Sequence, residues 1–207
     1  MQNKIDTIIF DLGGVLIDWD PKYVYREVFD GDEEKVNWFL DTVCTFPWNE
    51  QQDAGRTIEE ANAERIALFP EYEKEIRVYY DRWEEMLGGV LSGTVEILKS
   101  LIQNENYKVY ALTNWSAETF PKALQKFDFL HWFDGVIVSG EVKMKKPAKE
   151  IYELTLERFG ITANQSIFID DKQENIDAAV DLGIHGIRFV NPAQLKDDLE
   201  KRFGLTV

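Results

Sequence analysis

From residue 94 to residue 202 the chain alternates helical and extended patterns with short connections between them. Helices are predicted over 94–103, 117–126, 149–159, 174–182 and 193–202, and strands over 108–112, 135–138, 166–169 and 185–189. Strands separated by helices form βαβ units, so the expected fold class is α/β, a doubly wound parallel sheet. An earlier run, Thr7-Ile8-Ile9-Phe10, is short, apolar and β-rich, as an interior strand of such a sheet is. It runs directly into Asp11-Leu12-Gly13-Gly14, which places a carboxylate where the backbone must turn.

Residues 19–89 interrupt this pattern. They hold 8 basic and 18 acidic residues, two-thirds of the net charge of -15, and read as helical over Thr57–Phe69 and Tyr72–Leu87. Gly88-Gly89 closes the segment. The expected organisation is therefore one α/β core, residues 1–18 with 90–207, carrying a helical insertion over 19–89 after its first strand. A chain of 207 residues can bury a sizeable core in this way.

Charge and hydropathy exclude several function classes. An acidic protein lacks the phosphate-neutralising surface that nucleic acid or an anionic membrane requires, so neither is an expected partner. The first residues are too short and polar for a signal peptide, and no apolar run approaches the ~20 residues of a membrane span, so a soluble cytoplasmic protein is expected. Cys44 has no cysteine partner and no metal-ligand spacing, which makes it a buried small apolar residue.

In a parallel sheet the carboxyl ends of all strands share one edge, where ligands bind. The residues at those ends are Asp11, then Thr113-Asn114, then Ser139 followed by Glu141, and then Asp170-Asp171. Crowded carboxylates repel unless a cation bridges them, and a hard oxygen set with few carboxylates suits Mg²⁺. Thr113-Asn114 also fits an ordinary turn, and Asp171 with Glu174 fits a capping box for the next helix. Lys143, Lys145, Lys146 and Lys149 gather around Pro147 beside this edge. A lysine and Mg²⁺ next to a nucleophilic Asp describe phosphoryl transfer through an aspartyl-phosphate.

These residues resemble the four motifs of the haloacid dehalogenase superfamily: Asp11-Leu12-Gly13-Gly14-Val15-Leu16, Thr113-Asn114, Lys146-Pro147, and Asp170-Asp171 with Asn175. The form of the first, Phe10 to Asp18, is similar to the branch that contains α-D-glucose-1-phosphate phosphatases. The resemblance implies a Rossmann-like core with a helical cap and a Mg²⁺-dependent phosphomonoester hydrolase acting on a small phosphorylated metabolite, a sugar phosphate. Asp11 would be the nucleophile and Lys146 its charge partner, with Thr113 and the Asn114 amide holding phosphoryl oxygens. Mg²⁺ would be held by Asp11, the Gly13 carbonyl and Asp171, with Asp170 ligating directly or through water.

The chain departs from that pattern at Gly13, where most phosphatases of the superfamily carry a second Asp as general acid and base. General acid catalysis contributes about 10²–10⁴-fold, so its absence favours substrates whose oxygen leaves easily, such as an anomeric or aryl oxygen. Asp18 and Asp20 are the alternatives, either reaching back as substitute acids or shaping the hinge into the insertion. A further departure is Lys143, where relatives often have Gly. Gly13 also raises a 2-haloacid dehalogenase reading, and a phosphate-ligand binding protein without turnover is the third. Asp170-Asp171 speaks against the dehalogenase, and Asp11, Lys146 and Asp171 together speak against the binding protein.

Within the insertion, Trp48 to Arg56 combines an aromatic face, hydrogen-bonding side chains and a Gly-Arg turn. Trp48, Asn49, Gln52 and Arg56 are candidate substrate contacts, as is Trp115. The alternative is that Trp48 packs between helices and Arg56 pairs with a neighbouring acid.

Overall fold

The computed structural model describes residues 4–207. Five strands form one parallel sheet: β1 (Thr7–Phe10), β4 (Lys108–Thr113), β5 (Gly135–Val138), β6 (Ser166–Asp170) and β7 (His185–Arg188), in the order β5-β4-β1-β6-β7. Two short strands stand apart as an antiparallel pair, β2 (Ile17–Trp19) with β3 (Leu87–Val90). Alternation along β1 explains the layering. Ile8 and Phe10 enter the larger core and Ile9 the core on the opposite face, so helices cover both faces of the sheet.

The register centres the site on β1. Thr7 to Phe10 pair with Lys108 to Ala111 on one side and with Ser166 to Ile169 on the other. Asp11 extends the ladder by one bond, its N–H donating to the Ile169 carbonyl at 2.8 Å. The ends of β1, β4 and β6 are therefore level.

Every helix between β2 and β3 belongs to the inserted segment: Lys22–Val28, Glu33–Thr42, Phe46–Asp53, Ile58–Leu68 and Glu73–Asp81. Local chemistry sets several of their ends. Thr45 caps the third from its side chain, with Pro47 in its first turn, and Thr57 with Glu60 forms a capping box on the fourth. The helix expected over Tyr72–Leu87 ends at Asp81, because Arg82 leaves helical geometry (φ -112°, ψ 22°) and the chain passes through a 3₁₀ turn into β3. The helix expected from Ala117 starts at Phe120, after a turn.

A continuous apolar core joins the sheet to the insertion through Phe10, Leu16, Tyr25, Phe39, Trp48 and Tyr79. Cys44 is buried in it, and burial pushes its thiol up to about 12. No helix among the described residues is long and apolar enough to cross a membrane.

Candidate active site

Lys146 is the centre of the site. Its side chain is buried, with Nζ 2.9 Å from Asp11 Oδ1 and 2.7 Å from Asp170 Oδ2, and it donates to the Leu112 carbonyl at 2.9 Å. The backbone that carries it is clamped by Asn114, whose side chain accepts from the Lys146 N–H at 2.8 Å and donates to its carbonyl at 2.9 Å. Asn114 is thus no ordinary turn residue: its side chain braces the loop while the residue also lines the cavity of the site. The other three lysines lie away from the carboxylates: Lys145 pairs with Glu50 (3.1 Å), Lys149 with Glu153 (2.6 Å), and Lys143 is exposed. Lys143 holds a left-handed backbone (φ 56°) that glycine would adopt at lower cost.

Asp170 is saturated. It accepts from Lys146, from the Lys172 N–H at 2.8 Å and from Asn175 Nδ2 at 3.0 Å to each oxygen. Asp171 does not cap the following helix, whose first flanking residue is Lys172 and which has no side-chain cap. Its carboxylate instead turns towards Gly14, where a Cβ would lie 2.9 Å from Oδ2; Gly14 also holds φ 73°, so the turn after Asp11 admits only glycine here without strain. Asp11 accepts from the Leu12 N–H through Oδ1 at 2.7 Å, and no hydrogen bond from the described residues reaches Oδ2.

Carboxylate oxygens of Asp11, Asp170 and Asp171 lie within 4.8 Å of one another, with one buried lysine among them. Burial raises the Asp11 carboxyl well above the usual carboxylate range against the pull of Lys146, with Asp170 adding to the rise, and burial also raises Asp171. Burial alone would lower Lys146, but the two carboxylates more than reverse this. Three acids facing one cation leave uncompensated negative charge. With the oxygens of Asp11 and Asp171 open, the donor set fits a hard divalent cation.

A cavity of about 230 Å³ opens onto Asp11, Gly13, Asn114, Lys146 and Asp171, and the inserted segment forms its opposite wall. That wall is one face of the helix Phe46–Asp53: Phe46, Asn49, Glu50 and Asp53, at the i, i+3, i+4, i+7 spacing of a single helical stripe. Trp48 and Gln52 occupy the other face. Trp48 packs edge-on against Tyr79 and donates to the Ala61 carbonyl, and Gln52 donates to the Trp48 carbonyl and the Tyr80 hydroxyl. Arg56 bonds Gln52 and pairs with Glu64. Of the four candidates in this stretch, only Asn49 lines the cavity; the other three build the insertion.

Trp115 lines the cavity, whereas Thr113 is buried at the strand end and the wall begins one residue later. Glu141 is exposed in the short helix Ser139–Val142, away from the other carboxylates. Asp18 accepts from the Tyr23 hydroxyl (2.6 Å) and Asp20 from the Lys22 N–H (2.8 Å); neither lines the cavity, so both shape the entry into the insertion. Trp19, Tyr80, Trp83 and Asp53 line it without having been anticipated. For Asp53 the signal was the helical spacing from Phe46.

The insertion is held against the core by specific contacts. Lys145 pairs with Glu50, the Ile58 N–H donates to Glu118 at 2.7 Å, Lys172 lies 4.3 Å over the Phe46 ring, and Trp83 meets Trp115 edge-on at 5.3 Å. Ser139 at the end of β5 accepts from the Trp115 N–H and donates to the Asp53 carbonyl at 2.5 Å.

Comparison with known proteins places this geometry among others. The model of the haloacid dehalogenase-like hydrolase family matches residues 5–183. A sesquiterpene phosphatase of Aspergillus oryzae is 26% identical, the match covering 92% of this chain and 93% of that one. A phosphorylated carbohydrates phosphatase of Thermotoga maritima is also 26% identical, covering 88% and 84%. The crystal structure of a Bacteroides thetaiotaomicron enzyme of the same family, in complex with magnesium and inorganic phosphate, superposes with a TM-score of 0.66 at 27% identity, covering 90% of this chain and 95% of that one.

Proposed function

The chain belongs to the haloacid dehalogenase-like hydrolase family, and on that premise we propose that it is a magnesium-dependent phosphomonoester hydrolase working through an aspartyl-phosphate on Asp11. The observation that carries this reading is the asymmetry of Asp11. Oδ1 is pinned by Leu12 and Lys146, no hydrogen bond from the described residues reaches Oδ2, and the residue lines the cavity within a carboxylate cluster.

The residues divide the work. Asp11 Oδ2 forms the bond to phosphorus, and Lys146 offsets the charge that nucleophile and phosphoryl group bring together. Asn114 fixes the lysine's backbone, and Asp170 with Asn175 fixes its ammonium group. Magnesium would be held by Asp11, the Gly13 carbonyl and Asp171, and would supply further charge compensation to the phosphoryl oxygens. Asp170, with its oxygens already occupied, acts behind the ligands. The helical insertion, residues 19–89, serves as a cap that excludes water. Carbon–halogen hydrolysis fits poorly, since three carboxylates offset by Lys146 alone would repel a haloacid.

The substrate is a small phosphorylated metabolite, and a sugar phosphate suits the cavity best. Its wall combines the aromatic side chains of Trp19, Trp83 and Trp115 with the polar side chains of Asn49, Glu50 and Asp53. A hydroxylated ring satisfies both features at once. The name of the Thermotoga relative supports this choice, and that of the Aspergillus relative supplies the competitor, an isoprenyl phosphate. Phosphate release from a panel of sugar, isoprenyl and aryl phosphates, with and without Mg²⁺, tests both levels. Mg²⁺-dependent turnover lost in Asp11→Asn is expected, with sugar phosphates preferred. Silence across the panel, or activity surviving that substitution, contradicts the reading.

A further inference from the structure

Ester cleavage needs a proton for the leaving oxygen, and Gly13 offers none. The cavity's ionisable groups narrow the search. Asp11, Lys146 and Asp171 belong to the phosphoryl end, Glu50 is paired with Lys145, and Lys172 sits over Phe46. Tyr80 bonds Asn49 and Gln52, and burial pushes its phenol far above the usual range. Asp53 remains. It closes the inner stripe of the helix Phe46–Asp53, and no described side chain bonds its carboxyl group.

We propose that Asp53, reaching the cavity from the cap side, is the general acid and base that Gly13 fails to supply. The proposal rests on the phosphatase reading above. As Asp11 Oδ2 bonds phosphorus, the bond from phosphorus to the ester oxygen breaks, its electron pair stays on that oxygen, and the Asp53 carboxyl donates its proton there. In the return step the Asp53 carboxylate takes a proton from water as the water oxygen bonds phosphorus and the bond to Oδ2 breaks. Phosphate and alcohol leave, and both carboxyl groups regain their starting states.

The surroundings prepare Asp53 for both roles. Burial pushes its carboxyl up to about 7, Glu50 on the same helix adds to the rise, and Lys145, Lys172 and the Ser116 amide oppose it. A group balanced near neutrality can donate in one step and accept in the next. Its backbone is held in register with the sheet, because the Ser139 hydroxyl donates to its carbonyl. Placing the acid on the cap also makes proton transfer depend on cap closure, so alkyl esters fall within reach despite Gly13.

The test compares kcat/KM for phosphate esters of a simple alkyl alcohol and of p-nitrophenol, in wild type, Asp53→Asn and Asp53→Glu. In Asp53→Asn the alkyl ester should lose roughly 10²–10⁴-fold and the aryl ester less than about 10-fold, with Asp53→Glu recovering part of the alkyl activity. In wild type the alkyl-to-aryl ratio should fall roughly tenfold per pH unit above about 7, a readout that stands if the variants fold poorly. Equal losses for both esters, no loss, or a ratio flat to pH 9 would overturn the role of Asp53. A wild type inert towards both esters refutes the phosphatase reading itself.

Discussion

Lys146 and Asp11 form a buried ion pair, Nζ to Oδ1 2.9 Å, and the same ammonium group holds Asp170 at 2.7 Å. Removing the cation strands two buried carboxylates. Lys146→Met should cost about 3–5 kcal/mol of stability in urea unfolding with chelator present, as well as abolishing turnover. A variant as stable as wild type would show that the pair does not hold the site together.

Asn114 braces the Lys146 backbone from both sides. Asn114→Ala leaves that N–H and carbonyl without their partner, an expected cost of about 1–3 kcal/mol. Displacing the lysine by even 1 Å should lower kcat by roughly 10²-fold. Asn114→Asp keeps the acceptor and loses the donor, so it should fall between; activity matching wild type in either variant contradicts the clamp.

The two glycines after Asp11 should answer differently to substitution. A Cβ on Gly14 meets Asp171 Oδ2 at 2.9 Å from a left-handed backbone, whereas one on Gly13 meets nothing within 4 Å. Gly14→Ala should lose about 1–3 kcal/mol and weaken Mg²⁺ binding in titration calorimetry. Gly13→Asp should fold like wild type and, combined with Asp53→Asn, restore alkyl-ester turnover. Misfolding of Gly13→Asp alone would contradict this account of the turn.

Much of this was legible in the chain because strand ends and helix faces follow short-range rules. Five buried runs predicted five parallel strands to within a residue or two at either end, and the helix Lys149–Phe159 fell where its pattern put it. The antiparallel pair β2–β3 was not legible, since Ile17–Trp19 is only three residues long and Gly88-Gly89 reads as a terminator until its partner strand is known. Within the insertion, Trp48 and Gln52 drew attention by chemical type, yet periodicity decided the matter by turning Asn49 and Asp53 to the cavity and those two into the insertion's own core. Tertiary contact added to Asn114 a role that its type and position did not signal, the brace for Lys146.

Asp53 also predicts how stability varies with pH. Burial pushes its carboxyl up to about 7 from an ordinary 3.8, so the folded state binds the extra proton and stability falls as pH rises between these values. Asp53→Asn removes the penalty. The variant should match wild type near pH 4 and exceed it at pH 8 by roughly 1–3 kcal/mol in denaturant unfolding. A difference independent of pH would place the carboxylate in water rather than in the cavity.

Acid-quenching the enzyme during turnover of a phosphate ester with Mg²⁺, then locating the phosphoryl group by peptide mass spectrometry, decides whether Asp11 carries the phosphoryl group. One phosphoryl group is expected on the peptide containing Asp11, absent from Asp11→Asn and from samples without Mg²⁺. Turnover with that peptide unmodified, or a phosphoryl group on any other residue, would contradict this role for Asp11.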